Sequence, residues 1–418
     1  MTHHRWQWLG MILSLAGCGG GDDLAAPGDS LPPNDTPEVD FHLPLDVPSE
    51  VPPYGDGPVS ITWSIQTPTG EPPQWTSYTA LLYDEVSGQI LTYQTRSFSS
   101  SIYATDFFAY HTAASTWTRL GGTGSPYSMC SVGSVSDVLP WPSDRHPVSQ
   151  MTIDTARDRL WLYGGVCQNY IQKDMWFYSL HPTPTQNTMT RAEVSDVYFS
   201  SGGRWPENDY MGALVYSVDD DVLFSYGYGI IGGGNYQSFV FCPASAGVLS
   251  PTQTAAGCTM ADAWSHVPTA AQPPLSAFPQ LFYDRAQRKV FHFGREVDGG
   301  DASEIWAYDI PTQTWTNRNV VGLPMAPACC PETLMTHLTS GSGAGKFLFH
   351  QTSQASGDVA TDFIYDPRTD VMSPLPSSGT GPTTLTYLTF DPSAGPNGTI
   401  VAFAHDVNGG QLWHGVLE

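Results

Sequence analysis

The sequence predicts an all-β fold built from six similar antiparallel sheets, and three observations support this prediction. The chain of 418 residues contains 13 Trp, 20 Tyr and 18 Phe but only 16 Lys and Arg together, a composition typical of strands rather than helices. Its 41 Gly and 35 Pro suit many short turns. The third observation is a repeated pattern of strands and turns that extends over residues 58–418.

Composition and charge exclude several classes of protein. The chain has 40 Asp and Glu against 16 Lys and Arg, so its formal net charge is −24. Such an acidic chain lacks the basic surface that nucleic-acid binding requires, and we expect no nucleic-acid partner. An aromatic content of 12% excludes disorder of the whole chain. No apolar run reaches the length of about eighteen residues that a membrane-spanning helix needs.

The first eighteen residues resemble the signal peptide of a bacterial lipoprotein. A charged start that includes Arg5 precedes an apolar run over residues 6–15 and the sequence Leu-Ala-Gly-Cys that ends at Cys18. The resemblance implies removal of residues 1–17 and lipidation of Cys18, which would be the anchor to the membrane. An ordinary secretory signal with a chance cysteine is the alternative. The glycine after Cys18 favours the outer membrane by resemblance to enterobacterial sorting, so we expect an outer-membrane-anchored, periplasmic or surface-exposed lipoprotein of the bacterial cell envelope.

The composition of residues 18–57 predicts an extended tether that follows the anchor. Nine acidic residues and eight prolines fall between residues 19 and 57, and this segment contains no Lys or Arg. Like charges and prolines prevent collapse and keep such a segment extended. We therefore expect it to hold a globular domain, residues 58–418, away from the membrane.

The repeat consists of a strand, a polar turn and a second strand, followed by a loop and a third strand. The six second strands are spaced 53 to 70 residues apart. They are Gln89–Tyr93, Arg159–Tyr163, Val222–Tyr226, Lys289–Phe293, Lys346–His350 and Thr399–Phe403. Before each of them lies a short first strand: Leu82–Asp84, Thr152–Asp154, Val215–Ser217, Phe282–Asp284, Thr336–Leu338 and Thr389–Asp391.

The third and fourth strands of several repeats share a fixed spacing. Tyr110 precedes Trp117 by seven residues, Tyr308 precedes Trp315 by seven, and Met372 takes the place of the Trp after Tyr365. This pattern resembles the kelch repeat, which implies a β-propeller of the galactose-oxidase type with six or seven blades. The double glycine of that family survives only at residues 164–165. A sialidase-type propeller is the alternative, but its acid lies five residues before the Trp, whereas Asp309 lies six before Trp315.

The ends of the repeat array predict how the ring closes. The sixth repeat has three strands, over residues 384–390, 399–404 and 411–417. The segment 59–65 has the pattern of a fourth strand. We therefore predict a six-bladed β-propeller of four-stranded antiparallel blades, in which strand 59–65 completes the last blade and places Trp63 beside Trp413. An unclosed array is the alternative.

Six cysteines remain after Cys18, and an oxidising compartment favours their pairing. Cys242 and Cys258 flank an insertion in the third blade and are predicted to pair. The propeller fold places Cys130 and Cys167 on one face, so we also predict the pair Cys130–Cys167. The vicinal residues Cys329 and Cys330 would form a third disulfide. Six cysteines allow fifteen pairings, so these pairs are preferences among alternatives.

Chemistry-bearing residues are sparse in the sequence. Arg295, His350 and His405 stand at or just after the ends of second strands in blades 4, 5 and 6, and we expect that they form a polar ligand cluster on one face. The alternative is ordinary loop surface. No set of residues has a recognisable metal-ligand spacing, so we predict no metal and no cofactor.

A binding function follows from these observations, because loops on a rigid scaffold commonly recognise partners. We expect a monomeric, non-enzymatic module that binds a protein or glycan ligand at its loop face. The alternative is a carbohydrate-active enzyme, either a copper radical oxidase or a sugar epimerase, as the propeller resemblance implies. Catalytic residues remain unknown because the sequence shows no convergent acid, base or metal set.

Overall fold

Six antiparallel sheets, each built around four strands, make up the described part of this computed structural model. The structure describes residues 54–73, 80–93, 106–122, 149–167, 170–171, 174–180, 189–192, 212–228, 236–243, 247–274, 276, 279–295, 303–324, 333–351, 361–379, 381–383, 386–406 and 409–418. The predicted fold class, an all-β six-bladed propeller, is confirmed. We number the blades 1 to 6 along the chain.

Each blade has four strands in simple up-and-down order. The first strands are Leu81–Asp84, Met151–Asp154, Ala213–Ser217, Gln280–Asp284, Thr333–Leu338 and Thr386–Asp391. The second strands are Gln89–Tyr93, Arg159–Tyr163, Val222–Tyr228, Lys289–Arg295, Lys346–Gln351 and Thr399–Asp406. The third strands are Asp106–His111, Met175–Ser179, Tyr236–Phe241, Ser303–Asp309, Thr361–Asp366 and Gly409–Leu417. The fourth strands are Thr116–Gly122, Thr190–Arg191, Trp264–Val267, Thr314–Asn317, Val371–Leu375 and, for blade 6, Ile61–Gln66.

The blades form a closed ring. The first strand of each blade contacts the first strands of both neighbouring blades, and the first strand of blade 6 contacts that of blade 1. The buried apolar side chains of the described residues fall into six clusters, and each cluster fills one junction between two neighbouring blades. The core therefore lies between the sheets, where both faces of every sheet are covered.

The closing strand is the N-terminal strand, Ile61–Gln66. It pairs antiparallel with the third strand of blade 6, with Ile61 opposite Leu417 and Gln66 opposite Leu412. This confirms the predicted closure, with bounds of 61–66 rather than 59–65. Trp63 and Trp413 belong to the same buried cluster, although the residue directly opposite Trp413 is Ile65.

The spacing of seven residues between Tyr and Trp has a structural cause. A four-residue turn joins the third and fourth strands, so the two aromatic residues lie directly opposite each other across the hairpin. Tyr110 is paired with Trp117 and Tyr308 with Trp315, and their ring centroids lie 4.9 and 5.1 Å apart. Met372 occupies the same position opposite Tyr365.

An insertion between the third and fourth strands of blade 3 contains the α-helix Pro251–Ala255. Ser250 caps this helix by accepting a hydrogen bond from the Gln253 backbone amide. The disulfide Cys242–Cys258 closes the insertion, as predicted, with a Cα–Cα distance of 6.0 Å. Cys130, Cys329 and Cys330 lie outside the described residues, as does the side chain of Cys167, so the other two disulfides stay predictions.

Four minor strands and one 3-10 turn complete the described elements. They are the strands Thr69–Gly70, Val166–Cys167, Tyr170–Ile171 and Ser377–Gly379 and the turn Gly341–Gly343. Two of these strands connect neighbouring blades, because Thr69–Gly70 pairs with the fourth strand of blade 1 and Ser377–Gly379 pairs with the closing strand. Each segment comes from the preceding blade and fastens it to the next one. The sequence analysis did not predict these connections.

The packed part of the chain begins before residue 58. Tyr54 and Gly55 already contact blades 4 and 5, although the tether was predicted to extend to residue 57. The described residues, from 54 to 418, belong to one compact unit. No helix among the described residues has the length and apolar character needed to cross a membrane. The boundaries of the predicted signal peptide and tether stay predictions.

Candidate functional site

The strand order gives the ring two different faces. The turns between first and second strands and between third and fourth strands lie at one face, which we call the hairpin face. The connections from second to third strands and from fourth strands to the next blade leave from the other ends of the strands, and we call that side the loop face. The two faces differ in the length and chemistry of their connections.

Turns of the hairpin face are short and have the same backbone geometry. Seven turns contain four residues each: 85–88, 112–115, 155–158, 218–221, 285–288, 310–313 and 367–370. The fourth residue of every one of them has a positive φ, between 48° and 66°. That conformation allows a four-residue turn to close a tight hairpin, and it is most easily adopted by Gly, Asn or Asp.

Buried aspartates fix several of these turns. The carboxylates of Asp84, Asp154, Asp284 and Asp391 accept hydrogen bonds from backbone amides two residues later, at 2.9 to 3.1 Å. Each of these aspartates is at most 1% exposed. The carboxylates therefore replace missing backbone partners inside the turn, as in Asx turns, and this role explains the repeated Asp at the end of first strands.

Arg157 connects the turns of blades 2 and 3. Its guanidinium donates to both carboxylate oxygens of Asp221 at 2.6 and 2.7 Å and to Asp154 at 3.1 Å. It also donates to the Pro243 carbonyl at 2.8 Å. The Asp154 side chain is inaccessible and that of Arg157 is 12% exposed, so their contact is protected from solvent screening, whereas the bidentate partner Asp221 is 31% exposed.

Blade 4 holds the same turn of blade 3 from the other side. Tyr283 donates to Asp219 at 2.7 Å, and Arg285 donates to the other oxygen of that carboxylate at 3.1 Å. Arg288 binds Asp220. The three consecutive aspartates are therefore used to join blades. Asp220 is buried, with 1% of its surface exposed.

Blade 5 uses its acidic residues in the same way. Arg318 of blade 4 donates to both oxygens of Asp370 at 2.8 and 3.0 Å. Asp366 accepts from Arg368 and from the buried Lys346, each at 2.6 Å. The hydrogen bonds from Arg368 and Lys346 lower the pKa of Asp366 well below its usual range. These carboxylates are occupied by partners within the chain.

His350 is a buried packing residue. It has no exposed surface, its Nε2 donates to the Pro382 carbonyl at 3.0 Å, and its Nδ1 lies 2.8 Å from Asp362. Trp63 of the closing strand donates to the other oxygen of Asp362 at 2.9 Å. Both ring nitrogens of His350 are therefore occupied at the junction of blades 5 and 6.

An alignment of the second strands could have revealed this role. The fifth residue of each strand is aromatic or His: Tyr93, Tyr163, Tyr226, Phe293, His350 and Phe403. Arg295 and His405 occupy a different position, the seventh, in the strands of blades 4 and 6. Their backbones lie at the loop-face ends of these strands, but their side chains lie outside the described part of the chain. The proposed grouping of Arg295, His350 and His405 stays a prediction.

Other buried histidines lack metal-site geometry. His292 contacts Tyr226 and Trp315 edge to face, with neither ring nitrogen hydrogen-bonded, and burial lowers its pKa to about 3. His414 lies 2.9 Å from the Tyr110 hydroxyl, and burial lowers its pKa to about 4. Within the described residues, no group of three or more His, Cys, Asp or Glu side chains could hold a metal ion.

Connections at the loop face are longer than the hairpin turns. The longest span residues 123–150 and 192–212, on either side of blade 2. Most residues of these two connections lie outside the described part. Among the described side chains, the exposed large apolar residues are aliphatic, and none is aromatic: Val59, Ile65, Val86, Val248, Met260, Val321, Val371 and Val416.

Comparisons with known proteins leave the family open. No family model matches the chain, and no curated protein sequence matches it. Solved structures do match, and one is TolB from Acinetobacter baumannii, which is 9% identical with a TM-score of 0.41. The match covers 72% of this chain and 54% of the TolB chain, which is about half of its length. At this level of similarity the match carries no argument about function, and the six-bladed fold is established by the strand order and the closed ring.

Proposed function

We propose that this protein is a non-enzymatic binding module that is attached to the cell envelope through a lipid on Cys18. Its loop face would bind a protein or glycan ligand. The kelch resemblance belongs to this proposal, since kelch-type rings present binding loops on a rigid scaffold. An outer-membrane location, exposed either to the periplasm or to the surface, also belongs to it.

The difference between the two faces carries the proposal. Short turns and partly buried ion pairs occupy the hairpin face, so these charged groups already have partners within the chain. The long connections leave from the loop face. Variable loops on a closed ring can change in sequence without disturbing the strands, which is the usual basis of recognition in such folds.

A protein ligand has more support than a glycan. Glycan sites generally use exposed aromatic rings as stacking surfaces, and the described side chains include no exposed aromatic residue. Trp141 and Trp205 are among the aromatic residues of the two longest connections, which lie outside the described residues, and a glycan could stack at such positions. The copper-oxidase and epimerase alternatives gain no support from the described histidines.

Lipidation is tested by replacing its acceptor. In cells that express the full chain, we expect the wild type to incorporate a labelled fatty acid and to fractionate with membranes. Cys18→Ser should lose the label. The matched control is Cys167→Ser, which should keep it. Label that persists in Cys18→Ser would contradict the lipid anchor at this residue.

The binding face is tested with a photo-crosslinking amino acid at one exposed position on each face. Gln411 lies near the start of a third strand at the loop face, and Thr312 lies in a four-residue turn of the hairpin face. We expect discrete crosslinked species from position 411 in intact cells and none from position 312. The reverse result would overturn the assignment of the faces.

Glycan binding is tested separately by a thermal-shift screen against a glycan panel. A ligand at 100 times its Kd adds about 2.7 kcal/mol, which shifts the Tm of a domain this large by about 4 °C. A shift that Trp141→Ala or Trp205→Ala abolishes would establish a glycan site and overturn our preference for a protein ligand.

A further inference from the structure

The segment before the closing strand occupies a groove of its own on the ring. We call residues 54–57, with the sequence Tyr-Gly-Asp-Gly, the strap. The Tyr54 hydroxyl donates to Asp284 of blade 4 at 2.8 Å, and the Arg368 guanidinium of blade 5 lies 4.5 Å from the centre of its ring. The first strand of one blade and a turn of the next therefore hold a single side chain.

Backbone contacts fix the rest of the strap. The Gly55 amide donates to the Ala344 carbonyl at 3.0 Å, and the Gly57 amide donates to the Ser342 carbonyl at 2.6 Å. The fit leaves no room for extra atoms, because a Cβ at Gly345 would lie 2.3 Å from the Tyr54 ring and a Cβ at Gly55 would lie 2.1 Å from the Ser342 oxygen. Residues 342–345, with the sequence Ser-Gly-Ala-Gly, form the floor of this groove.

The strap and the closing strand attach to different parts of the ring. The strap contacts blades 4 and 5, whereas the closing strand pairs with blade 6 and with Ser377–Gly379. The attachment to blade 6 begins at Val59, whose amide donates to the Glu418 carbonyl at 2.8 Å while its side chain is 73% exposed. Trp63 anchors the closing strand through Asp362, a residue that the strap does not touch. The two attachments are therefore built from separate contacts.

Chain order places the strap between everything upstream and the closing strand. We infer that the groove formed by Asp284, residues 342–345 and Arg368 is a binding site for the strap, and that it shields the closing strand from motion or tension in the preceding chain. This inference rests on the proposed tethered function, because the tether would supply the load. Without the strap, a pull would act directly on the first hydrogen bonds of blade 6 and unzip them one pair at a time.

Hydrogen exchange tests whether the strap is a separate attachment. In the full chain, we expect Tyr54→Ala to accelerate exchange of the strap amides, residues 54–57, at least tenfold while exchange in residues 61–66 stays unchanged. Tyr54→Phe keeps the ring contacts and loses only the bond to Asp284, so its effect should be smaller. Val59→Ala, at an exposed site, is the matched control and should change neither segment. Equal acceleration of both segments by Tyr54→Ala, or no acceleration of either, would overturn the inference.

Pulling measurements test the load-bearing role. With handles on the first residue and on Glu418, the wild type should show an early extension of at most about 18 Å, the length of residues 54–58 at about 3.6 Å per residue. Tyr54→Ala should lose this step, so that tension reaches the closing strand at forces that the wild-type strap still holds. The inference fails if the wild type shows no early step or if Tyr54→Ala keeps it. These assays use neither lipid nor ligand, so their outcome is independent of whether Cys18 is lipidated or the loop face binds a partner.

Discussion

The hairpin face and the loop face are built from the same strands but are organised by different chemistry. At the hairpin face, buried aspartates close four-residue turns, and arginines such as Arg157 and Arg318 connect those turns to the next blade. At the loop face, connections of very different length join the same strands. The comparison indicates that contacts at the hairpin face stabilise the ring. The connections at the loop face can therefore differ in length and sequence. The following predictions test this division, from the largest expected effect to the smallest.

The largest effect should come from the buried arginine of the hairpin face. Arg157→Ala removes the partner of the inaccessible Asp154 and of Asp221, and an unpaired buried charge typically costs about 3–5 kcal/mol. Arg285→Ala is the matched control, because its pair with Asp219 is about one-quarter exposed on each side and should cost below about 1 kcal/mol. Urea unfolding measures the free energy of unfolding of both variants. Equal losses would show that burial does not govern the strength of these connections.

The disulfide of the blade 3 insertion should come next. Replacing both Cys242 and Cys258 with Ser releases a loop with a sequence separation of 16, which should cost about 2–4 kcal/mol. The insertion also contacts the hairpin face, since Gln253 donates to the Asp221 backbone carbonyl at 2.9 Å. Thermal unfolding of the double variant measures the loss. A reducing agent should lower the Tm of the wild type by more than that of the variant, and equal drops in the two proteins would contradict the assignment.

Acid should weaken the junction between blades 3 and 4. Burial lowers the pKa of His292 to about 3, whereas the unfolded chain protonates it near 6.5. The stability that neutral His292 contributes is therefore complete above about pH 6.5 and is lost as the pH falls toward 3, roughly 2 kcal/mol by pH 5. Unfolding in urea at pH 7 and pH 5 should show a smaller drop for His292→Leu than for the wild type. Phe291→Leu, a neighbouring core change that does not titrate, should keep the full drop.

The smallest effect should come from the loop face. Gln411 is exposed, and Gln411→Ala should change the free energy of unfolding by less than about 0.5 kcal/mol. Asp284→Ala at the hairpin face should cost more, since Asp284 holds both its own turn and Tyr54. Chemical denaturation of the two variants compares the faces directly. A larger loss of unfolding free energy for Gln411→Ala than for Asp284→Ala would contradict the proposed difference between the two faces.

The strands and turns of each blade were predictable because they depend on residues that are close together in the sequence. A turn of four residues fixes the register of a hairpin, so Tyr110 must lie opposite Trp117 wherever the hairpin is placed. The closing strand was predictable for a related reason, since a three-stranded last repeat leaves an edge that needs a partner. The pair Cys242–Cys258 was predictable from its position on either side of one insertion.

The candidate site was less predictable because it depends on which side chains from different blades meet. His350 has the residue type of a ligand-binding group, but the ring places it against Asp362 and Pro382 in the core. Tyr54 lies in an acidic, proline-rich segment, and only the groove between blades 4 and 5 gives it a fixed position. Composition predicts disorder for such a segment because the contacts that order it are remote in the sequence.

The sequence by itself determined the strands, their turns, the number of blades and the strand that closes the ring, since each depends on alternation, turn chemistry or repeat count over short distances. The tertiary structure alone decided that Arg157 would connect two blades, that His350 would be buried and that Tyr54 would bind a groove. The physical reason is that ring curvature brings side chains together from separate blades, and their burial and partners are fixed only when the ring has closed.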